Sequence, residues 1–94
     1  GITSLMLAAD NGHTAIVQAL LANGADANIT DDEYGMTALI FAAQNGHTEI
    51  VQALLAKGAQ VNARNKDGDT ALKLATNDGH KEIVELLKRA GAKE

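Results

Sequence analysis

Three histidines stand at corresponding places along this chain, His13, His47 and His80, each directly after a glycine and at steps of 34 and 33 residues. Imidazole is a common metal ligand and general base, so these residues are the first candidates for chemistry. The regular step argues otherwise. Groups that recur one structural unit apart lie in a row and do not converge on a single ion, so they read as packing or hydrogen-bonding residues. The acids of Asp31-Asp32-Glu33 and Asp67-Gly68-Asp69 carry the oxygen ligands that calcium takes. They lack the ligand spacing of a calcium loop and read as solvated loop tips. Nucleophiles are scarce: there is no cysteine, and Ser4, at an expected helix start, is the only serine. No phosphate-cradling glycine loop occurs. These residues point away from an enzyme, a metal protein or a cofactor binder, and toward a surface that works by contact.

Charge narrows the kind of contact. The net charge is −4, and the sequence has six acids and no base before Lys57, against eight bases and six acids from Lys57 onward. An acidic N-terminal half disfavours nucleic acid, which needs clustered Lys and Arg. It favours a protein partner with a basic patch. Apolar residues make up 46% of the chain, but no run reaches membrane-spanning length and no signal-like segment opens it. The chain reads as soluble, and the absence of cysteine fits an intracellular, cytoplasmic setting.

The elements that position these residues repeat. Units begin at Gly1, Gly35 and Gly68, giving expected boundaries of 1–34, 35–67 and 68–94 within a single domain. The first unit carries one extra residue in its connecting loop. Each opens with Gly-x-Thr, a fair helix N-cap because the hydroxyl can accept from the unpaired N–H groups of the first turn. Leu5, Ala8 and Ala9, like Leu39, Ala42 and Ala43, then form an apolar stripe of mostly small side chains that lets another helix approach. Asn11-Gly12, Asn45-Gly46 and Asp78-Gly79 end this helix. A second helix follows with Ile50, Val51, Leu54 and Leu55 on one stripe, until Gly24, Gly58 and Gly91 stop it. Asn-, Asp- and Gly-rich loops lead to the next unit. One such unit cannot bury enough apolar surface to hold itself together, and about three make a stable stack.

The elements Gly-x-Thr-x-Leu-x-x-Ala-Ala, Asn-Gly-His, Ile-Val-x-x-Leu-Leu and Gly-Ala-x-x-Asn are all present between Gly35 and Asn62. By these the chain resembles the ankyrin repeat family along its whole length. The resemblance implies an all-α solenoid of three helix-turn-helix units, joined by hairpin-like fingers, with a concave binding face. Two departures matter. The family's proline is Ser4, Ala38 and Ala71, a cheap loss in good helix formers. Its histidine at the helix start is Met6, Ile40 and Lys73, which predicts looser finger joints and extra apolar surface beside Met6 and Ile40. The third unit resembles a C-terminal cap, with Thr76 in place of Ala9 and Ala43 and with Lys81, Glu82, Glu85, Lys88 and Arg89 on its second helix. The first unit has no such device: it is uncharged from Asn11 to Ala25 with His13 neutral, and Ala15 replaces Glu49 and Glu82. It reads as part of a longer array or as a face that associates with another copy.

The resemblance also supplies candidate contacts, which are those of a protein-protein interaction module. In the first full finger they are Thr30, Asp31, Asp32, Glu33, Tyr34 and Met36. In the second they are Arg64, Lys66, Asp67 and Asp69. Ile2, Asp10, Asn11, Gln44, Asn45, Asn77 and Asp78 line the neighbouring helix ends. Tyr34 and Met36 are the expected anchors, since an amphipathic ring and a flexible thioether suit interface centres. Tyr34 packing the lengthened loop is the plainer alternative. Asn28 and Asn62 are expected to brace their loops, and Phe41 to sit in the core. The competing functional reading is a structural or engineered scaffold, or a piece of a larger array, with no dedicated partner of its own.

Overall fold

Threonine at the head of each unit does what its hydroxyl allows. In a computed structural model, which describes residues 2–93, Thr3, Thr37 and Thr70 sit in extended backbone, and their Oγ1 atoms accept from the N–H groups of Met6, Ile40 and Lys73 at 3.1, 3.1 and 3.2 Å. These caps start α1 (Ser4–Asp10), α3 (Ala38–Gln44) and α5 (Ala71–Asn77). Each is followed by a longer helix: α2 (Thr14–Ala22), α4 (Thr48–Ala56) and α6 (Lys81–Arg89). The turn between the two is tight because Gly12, Gly46 and Gly79 take φ of 76°, 79° and 75°. The next residue's N–H then bonds back to Ala8, Ala42 or Ala75, each at 2.9 Å.

The three pairs stack in two layers. α1, α3 and α5 pack in sequence on one side, α2, α4 and α6 on the other, and each first helix also packs on its own second helix. Small residues make the first layer possible: Ala8, Ala9, Ala42, Ala43 and Ala75 are all buried. Among the described residues there are six helices and no strand beyond one isolated antiparallel bridge, Arg64 with Thr70, in the second finger. The structure is the expected all-α stack.

Two expectations about the core need correction. Met6 and Ile40, standing where the family has histidine, add no surface: each is only 1% exposed and extends the core. The joint between fingers is tied rather than loose, since the Lys66 N–H donates to the Tyr34 carbonyl at 2.9 Å. Phe41 packs against the core but is only partly buried. The third pair carries the polar outer side expected of it, with Lys73, Thr76 and Lys88 exposed at positions where Ile40 and Ala43 are buried and Leu55 is partly so.

Thr37 is the cap to test, because it is buried and its hydroxyl serves a buried N–H. Thr37→Ala is expected to lower stability by about 1 to 2 kcal/mol, toward the upper end of the range for caps. Thr70→Ala, at a more exposed cap, should cost less. Thermal melts followed by circular dichroism check the order; equal losses would count against burial as the cause.

Candidate partner-binding surface

The first finger is built on Asp31. Its carboxylate accepts from the backbone N–H groups of Met36 at 2.7 Å, Tyr34 at 2.9 Å and Glu33 at 3.1 Å. The Asp31 N–H in turn donates to the Met36 carbonyl at 3.1 Å, closing the hairpin. Asn65 does the same work in the second finger, its Oδ1 accepting from Asp69 at 2.9 Å and Asp67 at 3.0 Å. Matching Asp31 to Asn65 places the extra residue of the first unit in the tip, among Asp32, Glu33 and Tyr34.

This changes the roles of two expected contacts. Asp31 is 3% exposed and Met36 is 7% exposed. Neither is a surface contact: Asp31 braces the turn from inside, and Met36 lies under the next finger, where the Asn65 side-chain amide reaches its sulfur at 3.5 Å. Tyr34 remains outside, 59% exposed. Hydrogen bonding to Glu33, reinforced by that carboxylate's charge, raises the phenol above its ordinary pKa. Lys66 reaches into this acidic tip, its ammonium donating to the Asp32 carbonyl. The tip is therefore less negative than its own sequence suggests.

The Tyr34 N–H, more than any other group, holds the Asp31 carboxyl below the ordinary carboxylate range; burial opposes this, and the Met36 and Glu33 N–H groups and the Lys66 charge add to it. A carboxyl with a folded-state pKa below its unfolded value stabilises the fold fully above the unfolded value, and that stability is lost as pH falls through the folded one. Acid below about pH 4 should therefore loosen the first finger. Asp31→Asn, which copies Asn65, should flatten this part of the pH dependence, and Asp31→Ala should lower the melting temperature by several degrees at pH 7. Unfolding midpoints from pH 7 down to about pH 2.5 test both, and an unchanged acid profile in Asp31→Asn would refute the assignment.

The second finger and the helix ends hold the other candidates. Arg64, Lys66 and Asp67 are exposed, while Asp69 is half-buried and pairs with Lys73 at 2.9 Å. Ile2, Asn11, Thr30, Asp32, Glu33, Gln44, Asn45, Asn77 and Asp78 are exposed, and Asp10 is half-buried. Several helix-end groups are engaged between pairs. The Asn45 amide donates to the Asp10 carbonyl at 3.1 Å and also to its side chain. The histidines work at the same joints. His47 Nε2 meets the Asp10 carbonyl and His80 Nε2 the Gln44 carbonyl, each at 3.1 Å. Asn28 and Asn62 brace as expected, and across pairs: their amides donate to the Gly58 and Gly91 carbonyls at 3.2 Å, and their oxygens accept from the Gln60 and Lys93 N–H groups.

Among the exposed apolar residues of the first unit that sequence reasoning missed are Leu7 at 52% and Ile29 at 43%. A signal existed for each. Leu7 lies off the stripe of Leu5, Ala8 and Ala9, and Ile29 interrupts a polar loop where the second unit has Ala63. On the outer side of the third pair, a groove of about 470 Å³ is lined by Leu72, Thr76, Val84 and the cations Arg64, Lys73 and Lys88, among others. Its titratable lining is all cationic, so it holds no acid-base pair. No helix of the described residues is long and apolar enough to cross a membrane.

Comparison with known proteins agrees with this architecture. A family model for ankyrin repeats, in three copies, matches residues 5–93. No curated protein matches the chain significantly.

Proposed function

Because the chain belongs to the ankyrin repeat family, whose members are generally protein-interaction modules and typically not enzymes, we propose that it binds a protein partner through its finger tips and first-helix ends. The observation that carries this is Tyr34. Its ring is exposed at the tip of a finger whose backbone is fastened from both sides, by Asp31 within and by Lys66 from the next finger. An aromatic side chain held in place before binding loses little freedom on association, which is how such residues become anchors. Asp32 and Glu33 stand beside it in sequence, Asp67 is exposed in the next finger, and these acids favour a partner with a basic patch, while Lys66 gives that partner one cation to match. An intracellular setting fits the absence of cysteine.

A partner captured by the intact chain and titrated against Tyr34→Ala decides the matter. The substitution is expected to weaken binding by more than about 1 kcal/mol, roughly a fivefold rise in Kd, while helicity stays unchanged. Equal affinity in the two proteins would remove Tyr34 from the interface, and loss of helicity would show it to be a packing residue instead. The scaffold reading predicts no saturable partner at all.

A further inference from the structure

The tip of the first finger turns its N–H groups inward and presents two of its carbonyls to the second finger. The amides of Glu33, Tyr34 and Met36 are taken by the Asp31 carboxylate, and that of Gly35 by the Asp31 carbonyl at 3.0 Å. The carbonyls of Asp32 and Tyr34 both go to Lys66, whose ammonium donates to the first and whose N–H donates to the second. Between these two bonds the lysine stem lies over Gly35. A Cβ placed on that glycine would stand 3.1 Å from both the Cγ and the backbone nitrogen of Lys66, so the fit depends on bare backbone beneath the stem. The first tip has one residue more than the second, where Asn65 braces a shorter turn. A longer turn has more backbone freedom to lose, and Lys66 supplies the extra fastening.

We propose that Lys66 is a positioning residue of the partner-binding surface: it straps the lengthened tip and holds Tyr34 in place for a partner, acting through that ring beyond any contact of its own. This rests on the reading of Tyr34 as an anchor. Glu33 adds to the same end, since the Tyr34 phenol is hydrogen-bonded to it. Charge alone predicts the opposite effect. A cation beside Asp32 and Glu33 repels a basic partner, so removing it would strengthen binding if only Coulomb forces counted. Releasing the strap instead leaves the tip to be ordered during association, which weakens binding. Lys66 is exposed, and a single exposed hydrogen bond contributes little to the stability of a whole domain. Its effect is therefore local: it orders the tip without carrying the stack.

The chain has one tyrosine and no tryptophan, so its intrinsic fluorescence reports on the tip with no ligand present. Lys66→Met keeps the stem and loses the ammonium. In this variant the anisotropy decay of Tyr34 is expected to show a wider fast motion, and the amides of Glu33, Tyr34 and Gly35 to exchange several-fold faster, with the melting midpoint unmoved. Lys66→Arg, which retains a charged donor, should behave as the parent. Against the partner captured by the intact chain, Lys66→Met should raise Kd about three- to tenfold. That loss should vanish in the Tyr34→Ala background, because strap and ring act as one. Unchanged anisotropy and exchange in Lys66→Met overturn the strap. Tighter binding, or a loss that adds in full to that of Tyr34→Ala, overturns the positioning role and shows Lys66 acting by its own charge. Parental affinity in Tyr34→Ala overturns the anchor reading and the positioning role with it; a tip loosened in Lys66→Met would still show the strap, so the two failures are told apart.

Discussion

Leu54→Ala is expected to destabilise the fold by about 3 to 4 kcal/mol, and Leu20→Ala, the same change at the same place in the preceding unit, by roughly 1 kcal/mol. Both leucines sit in the sequence Val-Gln-Ala-Leu-Leu-Ala, so helix propensity and local neighbours are the same in the two cases. What differs is the surroundings. Leu54 is fully buried, on a helix that packs against α2, α3 and α6. Removing its side chain leaves a cavity with a layer of structure on either side, which can relax only by shifting whole helix pairs. Leu20 is half-covered, and solvent can fill the space it leaves. A small domain has about 5 to 10 kcal/mol of stability in total, so Leu54→Ala uses up a large share of it. Urea unfolding with a shared m-value checks the prediction. Equal shifts in midpoint for the two variants would mean that the central pair is no better packed than the first.

The same pair of leucines shows what could be read from the letters and what could not. The stack was legible because one pattern occurs three times: Thr before Leu and Ala-Ala, Asn-Gly or Asp-Gly before His, then the apolar stripe of the second helix. Each copy checks the others. Position within the stack is invisible to such a pattern, so Ile16 and Ile50 look alike and differ from half-exposed to fully buried. Met36 was misjudged for a related reason. Its counterparts are Ile2 and Asp69, chemically mixed, and what covers it is Asn65, whose amide comes from the next finger along the chain. Asp31 sits in a run of three acids where an inserted residue blurs the match to Asn65, so composition suggested a solvated tip. Only the closed hairpin shows which acid of the run turns inward. The hydrogen-bonding role read for the histidines fits His47 and His80, which meet the Asp10 and Gln44 carbonyls, while His13 lies open. These two carbonyls, at the ends of the preceding first helices, come within reach only through the way one pair is laid on the next.

Those carbonyls explain a second large effect. Gly46→Ala is expected to cost about 2 to 4 kcal/mol, whereas Gly79→Ala should cost only about 1 to 2 kcal/mol, the range for a side chain forced into left-handed backbone. Both glycines have positive φ, 79° and 75°, so both substitutions carry that backbone term. The difference lies in what a Cβ would meet. At Gly79 there is nothing within 4 Å, while at Gly46 the His80 ring lies 2.8 Å away at its Cε1 atom. The ring cannot simply swing aside, because its Nε2 is bonded to the Gln44 carbonyl and its backbone N–H to Ala75. Moving it breaks a hydrogen bond that joins the second and third pairs. Gly12 faces His47 at the same 2.8 Å, so one interlock serves both joints. His80→Ala removes the obstacle, and in that background Gly46→Ala should fall back to the cost seen at Gly79. The double-mutant cycle therefore predicts strong non-additivity, on the order of 1 to 2 kcal/mol. Simple additivity would mean that the ring yields without penalty, and that glycine precedes histidine in every unit to end a helix rather than to seat the next pair.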